Sequence, residues 1–451
     1  MPNALAQTFA ELRRCDRHAV VAWTAAGPVT RDDLHHRAEA RRRAGLPPAA
    51  GRVAISVRDG VCFLAAVLAV WQMNGCAVLL DAADPQAPRT DLAHWFGASC
   101  VVTDDAVLPV AAAGSGAAGA DPFAAIKLTS GSTGMPRGIG VSAEALCADA
   151  DQLEATMGIG AADRVFGAVP MSFSYGVGNL LVPAIARGRT LVLPDAQNPL
   201  GFLQAMRHGL PTVLPAVPAL LRALLQNGME LPATLRLVLS AGALLPPPVA
   251  AAFRGRFGRP VHAFYGSTES GGICFDRTGT AAEAGTVGAP VDGVRVVLDD
   301  GGRVVVESPA VGTALDEVAN PVHGRYVTAD LGEWRGDQLA LLGRAGDVFD
   351  VGGHKVHPRE IEGIVAEVAG VDDVVVVPWR DRDGRAVCAA LVAARGVDDA
   401  VLRAHCARRL PPAKVPRCIA VLPQLPRTDR GKLPRAEVER LLRAIDGGVG
   451  A

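Results

Sequence analysis

Ten consecutive residues, Thr129-Ser130-Gly131-Ser132-Thr133-Gly134-Met135-Pro136-Arg137-Gly138, carry four hydroxyls, three glycines and a guanidinium. Glycine adopts positive φ at little cost, so successive backbone N–H groups can turn inward and form a nest for anionic oxygens. The hydroxyls and Arg137 add charge-assisted donors suited to phosphate. The spacing is not that of a G-x-x-x-x-G-K-[ST] loop, which disfavours a P-loop kinase or GTPase. Further polar clusters follow in order: Tyr265-Gly266-Ser267-Thr268-Glu269, Tyr326-Val327-Thr328-Ala329-Asp330, Gly343-Arg344, Pro358-Arg359-Glu360-Ile361-Glu362, and Pro426-Arg427-Thr428-Asp429-Arg430-Gly431-Lys432.

Taken together, these segments resemble the adenylate-forming superfamily of acyl- and aryl-CoA synthetases, nonribosomal peptide synthetase adenylation domains and luciferase-like enzymes. The resemblance runs from about Val53 to Arg435 and rests on five motifs in the right order. It implies an acid–thiol ligase that joins a carboxylic acid to the α-phosphorus of ATP, releases pyrophosphate, and passes the acyl group to the thiol of CoA. The same adenylation followed by transfer to a carrier-protein phosphopantetheine, or to another acceptor, stays open, as does a nucleotide-binding protein without catalysis. Such transfers are catalysed mainly by positioning and charge stabilisation. The resemblance implies that Thr129, Ser130, Gly131, Ser132, Thr133, Gly134 and Arg137 hold the β- and γ-phosphates. Tyr265, Gly266 and Ser267 would border the nucleotide, Thr268 would touch the α-phosphate, and Glu269 would hold Mg²⁺, a cation that prefers oxygen ligands. Asp330 and Arg344 would grip the ribose. Lys432 would bridge the acid's carboxylate and the α-phosphate. Arg137 stands where the family usually has lysine, which keeps the charge but changes the contact geometry. Ala329 stands for a glycine, and Gly346 for the Asp or Lys of the hinge.

Pro170-Met171-Ser172-Phe173-Ser174-Tyr175-Gly176 resembles the family's substrate helix. Amino-acid-activating members carry Asp where Ser174 stands, so an α-ammonium would be left unpaired at about 3–5 kcal/mol. By the same alignment Phe173, Ser174, Tyr175, Gly178, Leu239, Ala241, Phe264, Gly272 and Ile273 line the acid pocket. Phe264 should shorten it, favouring an aromatic or short-to-medium acyl carboxylate, with Ser174 or Tyr175 able to meet a ring hydroxyl or amino group.

The elements that must position these groups show in the hydrophobic pattern. Apolar runs at 53–57, 77–80 and 100–103 alternate with helical stretches at 61–73 and 91–96, and further strands are expected at 164–169, 190–193, 211–214, 235–239 and 261–264. Continuous apolar strands between helices predict parallel sheets covered on both faces. The fold class is therefore α/β: a large N-terminal domain of parallel-sheet αβα layers plus a β-rich subdomain, and a small, mobile α+β C-terminal domain. Beyond about Thr280 the texture turns to hairpins, with Asp300-Gly301 between strands 294–298 and 303–307. A helix opening at Pro358, strands 374–377 and 387–392, a helix 399–410 and a strand 419–422 make up the C-terminal unit. The boundary is expected near Gly346, giving an adenylate-forming domain at 1–345 and a lid at 346–451 that carries Lys432. The resemblance implies that Gly346 is the hinge and that Gly352-Gly353-His354 would line the pantetheine entry. The segment 111–120 (AAAGSGAAGA) reads as a surface connection.

Composition narrows the partners. The chain has 451 residues, 49% hydrophobic and 20% charged, enough for a sizeable core. Lys and Arg total 45 against 46 Asp and Glu, a net charge of −1, so bulk attraction to nucleic acid or an anionic membrane is not expected. Nine cysteines lie scattered with no C-x-x-C pair, which predicts thiols in a reducing compartment. The first 20 residues hold Glu11, Arg13, Arg14 and Asp16 and no apolar core of a leader, and the most apolar stretch, 62–80, is interrupted by Gln72, Asn74 and Gly75. A cytoplasmic enzyme without a membrane span is expected.

Overall fold

The computed structural model describes residues 3–47, 51–83, 89–110, 121–129, 136–195, 197–198, 200–316, 324–352, 354–381, 384–426 and 435–448. The chain divides into two compact units. One comprises Met1–Val297, Val305–Val327 and Arg335–Leu339; the other Leu298–Val304, Thr328–Trp334 and Ala340–Ala451.

Two large sheets build the first unit. The nine-stranded sheet runs in the order Ala289–Pro290, Gly271–Phe275, His262–Ser267, Leu237–Ser240, Val213–Ala216, Arg164–Phe166, Thr190–Val192, Val20–Thr24, Gly27–Thr30. Its strands are parallel from His262–Ser267 to Val20–Thr24, and an antiparallel hairpin closes each side. The seven-stranded sheet runs Thr313–Ala314, Arg137–Val141, Ala125–Thr129, Cys76–Leu79, Arg52–Ile55, Ala98–Val102, Val107–Pro109. Its four central strands are parallel. The expected strands are all present, displaced by up to three residues. The strand expected from Pro211 begins at Val213.

Burial explains these choices. Helix Gly60–Gln72 is apolar on every side and buries every residue from Val61 to Trp71 except Cys62, as expected of a helix surrounded by protein. Trp71 Nε1 donates to the Ala124 carbonyl at 2.9 Å, tying this helix to the strand that precedes the Gly-rich segment. Helices Gly201–Gly209, Pro218–Gln226 and Pro247–Phe257 lay Met206, Leu221, Leu224, Val249 and Phe253 against Phe166, Val192, Leu214 and Val238 of the nine-stranded sheet. The segment 111–120 lies outside the described residues.

In the second unit, Val371–Arg380, Ala386–Ala394 and Cys418–Leu422 form a three-stranded sheet with Ala386–Ala394 in the middle. Its even-numbered residues Cys388, Ala390 and Val392 pack with Ile361 and Val365 of helix Pro358–Ala366 and with Leu402 and Cys406 of helix Asp399–Ala407. The odd-numbered Ala389, Leu391 and Ala393 meet Val438 and Leu442 of helix Arg435–Gly448 on the other face. This period-2 partition requires both faces of the strand to be apolar, hence the unbroken run from Val387 to Ala394. The helix expected at 399–410 ends at Ala407. A four-stranded sheet combines Arg295–Leu298, Arg303–Glu307, Arg325–Arg335 and Gln338–Arg344 in that order. Among the described residues no helix is long and apolar enough to cross a membrane.

Candidate active site

Two hairpins and one helix start bring the first group of site residues together. In the first hairpin, strands Ala125–Thr129 and Arg137–Val141 pair so that Thr129 faces Arg137, with Thr129 Oγ1 donating to the Arg137 carbonyl at 3.5 Å. The ends of the Gly-rich segment are thus held side by side; Ser130, Gly131, Ser132, Thr133 and Gly134 lie outside the described residues. Arg137 Nε sits 2.9 Å from Asp316 Oδ1, and this hydrogen bond holds the Asp316 carboxyl below its usual range.

In the second hairpin, His262–Ser267 returns through Thr268, Glu269 and Ser270 into Gly271–Phe275. Ser267 Oγ accepts the Ser270 N–H at 3.1 Å and closes the turn, and Gly271 sits at φ +71° as it ends. The Glu269 carbonyl accepts the Gly312 N–H at 2.7 Å, which anchors the tip from a third segment. Thr268 and Glu269 are half-buried, and the Glu269 carboxylate has no hydrogen-bond or ion-pair partner among the described residues. No cluster of three ligating side chains exists among them either. One unspent carboxylate fits Mg²⁺, which is usually bound through one or two carboxylates with substrate phosphates supplying further oxygens.

The substrate segment turns helical at Ser174–Gly176, passes through a π turn at Val177–Leu181, and continues as Val182–Ala186. Single π turns are frequent at functional sites. Ser174 Oγ donates to the Ser267 carbonyl at 3.4 Å, so the helix start meets the second hairpin. The Tyr175 and Phe264 rings lie 5.8 Å apart, and burial pushes the Tyr175 hydroxyl's pKa up. Leu239 and Ala241 are buried close by in sequence to the same sheet strand. Gly272 faces Phe264 and Leu153, where a Cβ would stand 3.2 and 2.6 Å from their carbons. Ile273, the next residue on that strand, is wholly buried. Phe173 is 40% exposed.

Two charged residues that the motifs did not mark complete this site. Lys127, inside the strand before the Gly-rich segment, is buried with its Nζ 3.3 Å from Ser174 Oγ. Asp149, on helix Ala143–Met157, is buried and accepts the Gly272 N–H at 2.9 Å. Its oxygens occupy the space that side chains at Gly178 and Gly271 would need, 2.7 and 2.3 Å from the respective Cβ positions. Burial lowers the Lys127 pKa and raises that of Asp149, and each charge partly offsets the other's shift. The available signal was a lysine interrupting an otherwise apolar run, Ala124-Ala125-Ile126-Lys127-Leu128.

The second unit holds the remaining described residues. Arg344 Nε lies 3.2 Å from Asp330 Oδ1, and Thr328 Oγ1 accepts the Asp330 N–H at 3.1 Å. The two side chains expected at the ribose are therefore neighbours. Gly346 lies in a turn closed by the Asp347 N–H on the Arg344 carbonyl at 3.0 Å, with open space where its Cβ would be. Gly352 has φ +59°. Gly353 and Lys432 lie outside the described residues.

Comparison with known proteins identifies the family. Residues 10–313 match the model of the AMP-binding enzymes, and residues 360–432 match that family's C-terminal domain. The chain is 33% identical to a 4-hydroxybenzoate–CoA/benzoate–CoA ligase of Rhodopseudomonas palustris, over 70% of this chain and 64% of that protein. It is 28% identical to a benzoate–CoA ligase of Thauera aromatica, over 91% and 90% of the two chains. The o-succinylbenzoate CoA synthetase of Bacillus subtilis, solved with its acyl-adenylate intermediate, superposes with a TM-score of 0.82 at 23% identity, covering 97% of this chain and 98% of that one, a likeness of fold.

Proposed function

Because the chain belongs to the AMP-binding enzymes of the adenylate-forming superfamily, we propose that it is an acid–thiol ligase acting on an aryl or short-to-medium acyl carboxylate. The observation that carries this reading is the pair of family matches in one chain, the second of which ends at Lys432. In the first half-reaction a carboxylate oxygen attacks the α-phosphorus of ATP. The new bond is an acyl–phosphate anhydride, and pyrophosphate leaves with the electrons of the broken bond. In the second, a thiolate attacks the acyl carbon and AMP leaves. The thiol of CoA is the acceptor, a reading supported by the CoA-ligase relatives.

The residues take the following parts. The segment from Thr129 to Arg137 holds the β- and γ-phosphates with backbone N–H groups and hydroxyls, bordered by Tyr265, Gly266 and Ser267. Thr268 touches the α-phosphate, where charge accumulates. Glu269 holds Mg²⁺, which neutralises phosphate charge when bound. Asp330 and Arg344 grip the ribose, and Lys432 spans the attacking carboxylate and the α-phosphate as a point charge. We place the boundary at Gly346, with 346–451 turning as a lid relative to 1–345, since hinges are a few residues that absorb large φ/ψ changes. We place the enzyme in the cytoplasm; Cys76, Cys100, Cys274, Cys388 and Cys406 are buried thiols, as a reducing compartment permits.

The acid is not an α-amino acid. An ammonium group at Ser174 would lie against the Lys127 ammonium, and two like charges about 4 Å apart repel by roughly 4 kcal/mol in partly buried surroundings.

ATP–pyrophosphate exchange with Mg²⁺ tests the reading, using benzoates, cinnamates, short and medium fatty acids and amino acids. Exchange with one acid class, followed by thioester formation with CoA and not with a phosphopantetheinylated carrier protein, is expected. ATP binding without exchange for any acid would overturn the ligase reading.

A further inference from the structure

Lys127 is 2% exposed, within a strand whose neighbouring Ile126 packs into an apolar cluster. Its Nζ makes one hydrogen bond, to Ser174 Oγ at 3.3 Å, and no carboxylate oxygen comes within 4.0 Å of it among the described residues. An ammonium carries three N–H donors, so a single long bond leaves two of them buried without an acceptor among the described residues. Such groups are rare in native proteins because desolvation is not repaid.

The nearby negative charges do not fill this need. Asp149 and Glu269 act on Lys127 through space. Asp149 spends Oδ1 on the Gly272 N–H, and neither carboxylate hydrogen-bonds the lysine. Ser174, in turn, gives its own proton to the Ser267 carbonyl. The line Lys127–Ser174–Ser267 therefore presents unmet donors, and a serine oxygen already engaged, beside the helix start assigned to the acid. What is missing is an oxygen acceptor.

Resting on the adenylation reading, we propose that Lys127 is a specificity-determining residue: its ammonium, positioned by Ser174 Oγ, binds an oxygen substituent of the acid, a hydroxyl, carboxylate or sulfonate other than the carboxylate that is activated. Acids carrying such a group complete the ammonium's donors. Unsubstituted acids leave them buried and unmet, and amino-substituted acids set a donor against a donor. Sites built to hydrogen-bond a substrate group discriminate strongly against analogues that lack it.

The test uses the full chain and the exchange assay, with kcat/KM measured for matched acids: benzoate against its three hydroxybenzoates and three carboxybenzoates, and propionate against succinate. The wild type is expected to favour an oxygen-substituted member by about 100-fold or more, and Lys127→Met to bring that ratio close to one. Exchange without such a preference overturns the proposal. So does a Lys127→Met protein in which both members of a pair fall equally, because Lys127 would then serve the carboxylate or nucleotide common to every acid. If Lys127→Met does not fold, the wild-type ratios and their reduction in Ser174→Ala decide the matter. Absence of exchange with every acid overturns the adenylation reading and this one with it, whereas exchange lacking the preference overturns this one alone.

Discussion

Replacing Gly271 by alanine perturbs the hairpin that presents Thr268 and Glu269, and the structure sets the cost. Gly271 sits at φ +71°, a conformation that costs an L-residue about 1–2 kcal/mol. Its Cβ would also lie 2.3 Å from Asp149 Oδ1 and 2.6 Å from Asp149 Cγ, closer than atoms pack. Asp149 must withdraw, breaking its bond to the Gly272 N–H, and a hydrogen bond to a buried charge is worth about 1.5–3 kcal/mol. The sum is about 3–5 kcal/mol, which lowers the melting temperature by roughly 3–7 °C in a chain of this size. Displacement of the hairpin tip should also cut ATP–pyrophosphate exchange at least about 100-fold. The double variant isolates the cause. In an Asp149→Ala background the collision is gone, so Gly271→Ala should cost only the backbone strain, about 1–2 kcal/mol. Calorimetry on the four proteins gives the coupling. Equal losses in both backgrounds, or a single-variant shift below about 2 °C, would refute the packing argument.

Lys432→Ala should nearly abolish exchange while leaving ATP affinity, read by isothermal titration, within a few-fold; intact turnover would remove Lys432 from the chemistry. Glu269→Gln keeps the shape of the hairpin tip but removes its charge, so exchange should fall about 100-fold and half-saturation by Mg²⁺ should move to higher concentration. An unchanged Mg²⁺ dependence would exclude Glu269 as a ligand. Asp163 concerns stability at acid pH. Burial acts to raise its pKa, but the Arg236 guanidinium, the Gly160 N–H and the Thr212 hydroxyl outweigh it and hold the group at about 2 against 3.8. A carboxyl depressed in the folded state stabilises fully above its unfolded pKa and loses that contribution as pH falls from about 4 through about 2. Asp163→Asn should thus melt well below wild type at pH 6, by about 1–2 kcal/mol, with the gap shrinking towards pH 2; a constant gap would contradict the assignment.

Much of the architecture was legible because parallel strands buried on both faces write themselves locally. The run Val387–Ala394 needs apolar residues at both parities, since Cys388 and Ala389 enter different cores. The N-terminal elements were less visible. Val20–Thr24 is short, and it becomes a strand by pairing with Thr190–Val192, far along the chain. The family match accordingly begins at residue 10, well before Val53, where the motif resemblance began.

For the site, the motif resemblance pointed to the Gly-rich segment, the Thr268-Glu269 pair, Asp330 with Arg344, and Lys432 as candidates; of these, Asp330 and Arg344 stand as neighbours in the fold. Which charges stand around these candidate residues was decided by tertiary structure alone. Lys127 meets Ser174 across 47 residues, Asp149 meets the Gly272 N–H across 123, and Arg137 meets Asp316 across 179. A lysine in an apolar run reads the same whether its ammonium reaches water or is sealed against a serine. Desolvation and Coulomb energy depend on what other segments bring within a few ångströms, and that information exists only once the chain has folded.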